Sequence, residues 1–215
     1  MPTLKEKVAT WAQSREGQFV PDGQCFALAD QALRQSGAKS ASDFGTVTKT
    51  AHYIWGTPVN ILTVQRGDIL QFEEYWAQQS AKVTEVRFPI LGGLPETTID
   101  PTFTLVYQYE RPHHTAVVLQ NLGQGAVLVA EQNVKSMYND NDIIRMKVFL
   151  HRLQLFTSLW AYDTETFQED GYHVIRYKTW KWEVGYQELK AYRPVPKGEQ
   201  PTADNEGDSI FGSWG

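Results

Sequence analysis

The order of helix-like and strand-like segments constrains the fold of this chain most strongly. Apolar residues recur at helical spacing in two N-terminal segments, residues 4–12 and 25–33. After Arg66 the apolar runs are short and are separated by turn-forming residues, as in β-strands. Helices followed by strands predict an α+β fold, with the N-terminal helices packed on an antiparallel β-sheet.

The sequence pattern also predicts the strands and the end of the folded domain. Strands are expected at residues 69–72, 83–90, 103–109, 114–120, 126–131, 143–150, 172–182 and 189–193. After Pro196 the composition shifts to glycine, proline, serine and acidic residues, which are typical of disordered segments. The folded domain is therefore expected to end at residue 196, followed by a disordered tail at residues 197–215.

Charge and cysteine content exclude several classes of function. The formal net charge of −5 argues against nucleic acid as the main partner, because phosphate binding needs a basic surface. The single cysteine excludes internal disulfides and all-cysteine metal sites. The oxygen-bearing residues Asp140, Asn141 and Asp142 lack the glycine and distal glutamate of a calcium loop. A plain polar turn is expected there, and no metal or cofactor is predicted.

The N-terminal segment does not have the pattern of a targeting signal. Residues 1–18 are polar and helical in pattern, without the apolar core of a signal peptide. No run in the chain approaches the roughly 18 apolar residues of a membrane span. We therefore expect synthesis in the cytoplasm and no membrane span. Any export would use a route other than the Sec pathway.

Cys25, the only cysteine, is predicted to lie in the first turn of a helix. Asp22 and Gly23 are typical helix-start residues, and Cys25 opens the helical pattern of residues 25–33. Backbone N–H groups and the helix dipole favour a thiolate at that position, and the thiolate is the nucleophilic form of cysteine. The alternative interpretation is a small buried residue on the apolar face of the helix.

A nucleophilic cysteine needs a histidine and a polar residue that orients it. His114 opens an apolar strand, and a Gly-rich turn joins that strand to the next, which ends at Glu131. In a hairpin the start of the first strand lies beside the end of the second, so Glu131 and Asn133 are expected on one side, near His114. Taken alone, each residue is more often an ordinary strand-end residue.

Several short motifs, in this order, resemble the CHAP amidohydrolases/peptidases, which belong with the NlpC/P60 enzymes to the papain-like cysteine peptidase group. They are Gly23-Gln24-Cys25, Arg66-Gly67-Asp68-Ile69-Leu70, His114-Thr115-Ala116-Val117-Val118, Glu131-Gln132-Asn133 and Tyr192-Arg193-Pro194. The resemblance extends from the first helix to about residue 196. CHAP sequences usually have glycine before the histidine, where this chain has His113.

The resemblance implies a role for each site residue. Cys25 would be the nucleophile and His114 the general base. Glu131 would orient the histidine, and Asn133 would support the site. Gln24 and the backbone N–H of Cys25 would form the oxyanion hole.

The resemblance also implies a domain organisation and a substrate. Residues 1–196 would form one CHAP-like domain, with insertions near residues 73–109 and 134–170 that serve as lids or as a surface for a protein partner. The activity would be thiol-dependent hydrolysis of an amide in peptidoglycan, as an N-acetylmuramoyl-L-alanine amidase or an endopeptidase, or hydrolysis of another amide. Two alternatives stay open: a non-catalytic binding module that retains the fold, and a thiol acyltransferase.

Overall fold

The structure is a computed structural model of the 215-residue chain and describes residues 1–48, 52–99, 103–135 and 144–201. Over these ranges the chain forms two α-helices, two short 3₁₀ helices and eleven β-strands. None of the described helices is long and apolar enough to cross a membrane. Residues 140–142 and residues 202–215 of the expected tail lie outside the described ranges.

Both predicted helices are present. Helix α1 spans Leu4–Gln13 and begins with a capping box, in which Thr3 and Glu6 exchange side-chain to backbone hydrogen bonds. Helix α2 spans Cys25–Ser36 and ends at Gly37, whose φ of 82° closes the helix in the left-handed conformation. The first residue of α2 is therefore the single cysteine.

Several of the strands are longer than the sequence pattern predicts. Their bounds are β1 Thr57–Val59, β2 Ile69–Pro89, β3 Glu96–Ile99, β4 Thr104–Gly123, β5 Ala126–Glu131, β6 Val134–Lys135, β7 Ile144–Arg145, β8 Phe149–Gln154, β9 Ser158–Glu169, β10 Tyr172–Gly185 and β11 Glu188–Arg193. The 3₁₀ helices span Ala41–Asp43 and Ile61–Thr63.

The described residues divide into two compact units. The first unit comprises those within Met1–Tyr75, Glu110–Leu155 and Tyr186–Gly215. Its strands are ordered β1-β11-β2-β4-β5-β8. The pairs β1–β11, β11–β2, β4–β5 and β5–β8 are antiparallel. Strands β6 and β7 form a separate two-stranded sheet.

A hydrophobic cluster forms the core of the first unit. It joins buried residues of both helices to buried residues of β2, β4 and β5, including Val8, Leu28, Leu33, Ile69 and Val117. Burial on this scale stabilises the unit by roughly 25 cal/mol for each Å² of apolar surface removed from water. The core also fixes the position of α2, and with it the position of Cys25.

The second unit comprises Trp76–Tyr109 and Phe156–Gly185. Strands β9 and β10 form a hairpin, and β10 pairs antiparallel with β2 from Trp76 to Pro89. Strand β3 pairs with the same part of β2. Many side chains on this part of β2 and on β10 are half-buried rather than fully buried.

The predicted fold class is wrong. Over the described residues the fold is mostly antiparallel β-sheet, with 50% strand and 16% helix in two α-helices, and is not an α+β fold. Strand β9 was not predicted, and β2 extends far beyond the expected segment 69–72. The reason is that half-buried strands carry polar residues on both faces, so their sequences lack the alternation that marks a strand.

Candidate active site

Cys25 is placed by an unusual turn before α2. Asp22 and Gly23 both have positive φ angles, 80° and 68°, and Gln24 is the extended N-cap residue. A Cβ at Gly23 would lie 2.7 Å from the Met146 side chain and 2.8 Å from that of Phe19. Only glycine fits this combination of backbone conformation and close contact. The turn therefore fixes where the helix begins and where the thiol points.

A buried glutamine that the sequence reasoning did not single out holds this turn. Gln132 is fully buried, and its side-chain oxygen accepts a hydrogen bond from the Val20 N–H at 3.0 Å. Its side-chain nitrogen donates to the carbonyls of Val20, at 3.1 Å, and Gln24, at 3.3 Å. The end of β5 is thereby tied to the start of α2.

His114 lies between Cys25 and Glu131. It is buried on β4, with 4% of its surface exposed. Nε2 of His114 is 3.2 Å from Oε1 of Glu131, so the two groups form an ion pair when the ring is protonated. His114 also forms a side-chain hydrogen bond with Cys25.

Arg111 completes the site and was missed by the sequence reasoning. Its Nε donates to Oε1 of Glu131 at 3.0 Å and its Nη2 donates to Oε2 at 2.8 Å. The Arg111 side chain is 3% exposed and that of Glu131 is 0% exposed. A sequence signal existed: a carboxylate at the end of an apolar strand needs a cation, and Arg111 is the only arginine or lysine between residues 88 and 134.

Electrostatics favour a charged pair at Cys25 and His114. Burial alone would raise the pKa of the Cys25 thiol, but the His114 charge and hydrogen bond, with the N–H groups of Thr115 and Phe26, lower the pKa overall. Burial alone would lower the pKa of His114. The Cys25 charge and hydrogen bond and the Glu131 carboxylate outweigh burial and raise that pKa to about 9. Cys25 and His114 therefore each stabilise the charged form of the other.

Glu131 stays ionised although it is fully buried. Burial alone would raise its pKa, but the charge of Arg111 and the hydrogen bonds from His114 and Arg111 hold it well below the usual range. A buried carboxylate without such partners would take up a proton instead. The site therefore contains two opposite-charge pairs, Cys25 with His114 and Glu131 with Arg111.

The remaining two predicted site residues contact each other. Asn133 adopts a left-handed conformation with φ of 60°, and its Nδ2 donates to Oε1 of Gln24 at 2.8 Å. Asn133 thus lies at the start of α2, and the carboxylate beside His114 is that of Glu131. The contact sets the orientation of the Gln24 side-chain amide next to the Cys25 backbone N–H.

An aromatic cluster flanks the cysteine. The ring of Phe26 is 4.9 Å from that of Tyr53, which lies edge-on to His113 at 5.4 Å. Burial, and then the negative charge of Cys25, raise the pKa of the Tyr53 phenol. Tyr53 therefore stays neutral beside the thiolate. His113 occupies the outer position on β4 and His114 the buried one, which places His114 at the cysteine.

Two other features of the first unit do not include Cys25 or His114. His52 is within reach of two carboxylates, with Nδ1 3.1 Å from Glu188 and 3.3 Å from Glu73. These are residue types that can bind a metal ion, and His52 is exposed while the two carboxylates are half-buried. A cavity of about 260 Å³ lies at the outer side of α1 and α2 and does not include Cys25 or His114. It is lined by Trp11, Arg15, Gln18, Phe19, Val20, Pro21, Gln31 and Gln35.

Comparison with known proteins identifies a family. A model of the family described as the AIM3/BBC1 cysteine proteinase-fold domain matches residues 3–155, which include Cys25, Arg111, His114 and Glu131. No curated protein matches the chain. The predicted papain-like group is confirmed at the level of the cysteine proteinase fold, whereas the match does not point to CHAP or NlpC/P60 enzymes in particular. Because the match covers most of the chain, this protein belongs to the AIM3/BBC1 cysteine proteinase-fold domain family.

Proposed function

We propose that this domain performs thiol chemistry on an amide or related acyl group, with Cys25 as the nucleophile. The observation that carries the proposal is the chain of contacts from Cys25 through His114 to Glu131, at the start of a helix. Lowering of the thiol pKa by His114 and by backbone N–H groups is what an attacking cysteine requires. A cysteine that merely packed in an apolar core would have its pKa raised.

The reaction would follow from the placement of the groups. The Cys25 thiolate would attack the carbonyl carbon, and the negative charge on the oxygen would be held by the Cys25 N–H and the Gln24 amide. His114 would give its proton to the leaving amine as the C–N bond breaks, which leaves a thioester. A water molecule, deprotonated by His114, would then release the acid and the free thiol. With another acceptor in place of water, the same site would be an acyltransferase.

The chemistry of the thiol defines the proposed substrate class. Peptidoglycan follows only from the resemblance to CHAP enzymes, and the matched family is described by its fold and not by a substrate. The proposed substrate class is therefore an amide or acyl group of unspecified origin. Peptidoglycan amidase or endopeptidase activity is one outcome to test.

A non-catalytic binding module is the second candidate, and the comparisons support it better than they support a peptidoglycan hydrolase. The family description names a fold without an activity, and no curated enzyme matches. The cavity at α1 and α2 is not lined by Cys25 or His114. His113, with its ring against Tyr53, takes the position before the histidine that is usually glycine in CHAP enzymes. In this case the fold would serve a partner protein.

The pH dependence of alkylation separates the two candidates. Because Cys25 is the only cysteine, iodoacetamide reports on this thiol alone. An active site predicts a labelling midpoint well below the free-thiol pKa of about 8.5, and His114→Ala should abolish the low-pH labelling. A wild-type midpoint at or above that value, unchanged in His114→Ala, would contradict the proposal. Mass spectrometry of a muropeptide digest then tests the substrate separately.

A further inference from the structure

We propose that Arg111 is a positioning residue of the active site. Its positive charge compensates the negative charge of Glu131, so that Glu131 can orient His114 while Cys25 remains a thiolate. This inference rests on the proposed thiol chemistry. It assigns a role to a residue outside the Cys25–His114–Glu131 triad.

The geometry of Arg111 is that of a fixed brace. Its Nε and Nη2 donate to the two oxygens of Glu131, and its Nη1 donates to the Glu110 carbonyl at 2.8 Å. Guanidinium and carboxylate therefore meet fork to fork, which is the arrangement that fixes orientation as well as distance. Oε1 of Glu131 is shared between Arg111 and His114, so the carboxylate cannot turn away from the ring without breaking a contact with Arg111.

Counting charges shows what Arg111 contributes. With Cys25 as thiolate and His114 as imidazolium, these two charges cancel. The charges of Glu131 and Arg111 also cancel, so the net charge of the four groups is zero. Without Arg111 the same state carries one net negative charge in a buried site. Such a charge is costly, and protonation of the thiolate relieves it. Among the described residues near the cysteine, His113 packs against Tyr53, whose phenol is held neutral by burial and by the thiolate.

Lysine cannot reproduce the whole arrangement. An ammonium group keeps the positive charge, but it lacks the planar fork that binds both carboxylate oxygens. Arg111→Lys thus separates charge from geometry. Arg111→Met removes both, and Arg111→Met with Glu131→Gln removes the two opposite charges together.

The test is the alkylation midpoint of Cys25 in these variants. Arg111→Met should raise the midpoint by about one pH unit or more, as expected for an uncompensated neighbouring charge. Arg111→Lys should stay within about half a unit of the wild-type value. The double variant Arg111→Met/Glu131→Gln should have a midpoint clearly below that of Arg111→Met, because it leaves no unpaired charge, although loss of the Glu131 carboxylate keeps it above wild type. Arg176→Met, which breaks an Arg–Glu pair in the second unit, is the matched control.

Each outcome bears on the proposal. If Arg111 has only a structural role, Arg111→Met will have a lower melting temperature and an unchanged labelling midpoint. That result would overturn the inference. A double variant with a midpoint as high as that of Arg111→Met would also overturn it, since cancellation of Glu131 would not be the mechanism. If Arg111→Met does not fold, Arg111→Gln, which also removes the charge, takes its place, and a midpoint equal to that of wild type would overturn the inference. A high midpoint in the wild type refutes the proposed thiol chemistry instead.

Discussion

Gln132 offers the sharpest test of how the start of α2 is held. Its side chain is fully buried and makes three hydrogen bonds, one with the Val20 N–H and two with the carbonyls of Val20 and Gln24. Gln132→Ala removes all three and leaves those backbone groups without their partner. At roughly 1 kcal/mol for each net hydrogen bond, with the 3.3 Å contact the weakest, we expect a loss of about 2 to 4 kcal/mol in the free energy of unfolding.

Urea unfolding followed by far-UV circular dichroism measures this loss. With a slope of about 2 to 3 kcal/mol per molar urea, the unfolding midpoint should fall by about 1 M. The matched control is Gln120→Ala on β4, where the glutamine is exposed and the change should be within about 0.5 kcal/mol. The alkylation midpoint of Cys25 should also rise in Gln132→Ala, because the N–H groups of the first helical turn are less well oriented.

Equal stability losses in Gln132→Ala and Gln120→Ala would refute this reasoning. That result would mean that the turn before α2 is held by its own backbone conformation. A loss of stability without any change in Cys25 labelling would confine the role of Gln132 to folding.

Three further predictions concern pH and backbone. The pKa of His114 is raised to about 9 in the folded state, against about 6.5 in the unfolded state. Its contribution to stability is therefore complete below about pH 6.5 and is lost as pH rises through about 9. The free energy of unfolding, measured from about pH 6 to 10, should fall more steeply in wild type than in His114→Gln. Gly23→Ala should cost more than Gly17→Ala in thermal melting, because both have positive φ but only Gly23 lacks space for a Cβ. Thr3→Ala should cost about 1 kcal/mol in urea unfolding by removing the cap of α1, and an unchanged midpoint would show that the capping box contributes nothing.

Local signals predicted the elements that carry the site. Helix-start residues placed Cys25 in the first turn of a helix, and a short Gly-rich turn between two apolar runs placed His114 and Glu131 on paired strands. Both inferences depend on neighbours in sequence, where capping and turn chemistry act directly. The roles of Cys25 and His114 in catalysis stay predictions until the thiol is titrated.

Long-range features were harder to predict. Arg111 meets Glu131 only because β4 and β5 pair, and the signal for this contact combines residues twenty positions apart in the sequence. Gln132 looked like part of a motif, but its function lies in contacts with Val20 more than a hundred residues earlier. The fold class was wrong because the long strands β2 and β10 are half-buried and polar on both faces, and their pairing is decided by partners far away in the sequence.

The pairing of β2 has a consequence for how the chain folds. Trp76 on β2 pairs with Gly185 on β10, and Ile69 pairs with Tyr192 on β11. These two partner residues lie more than a hundred positions later in the sequence, so β2 cannot pair with them until they have been synthesised. Such non-local pairing slows folding and leaves strand edges open meanwhile. A fragment that stops at residue 155, where the family match ends, lacks β10 and β11, two of the strands that pair with β2. Such a fragment should aggregate through that open edge, although it contains Cys25, Arg111, His114 and Glu131.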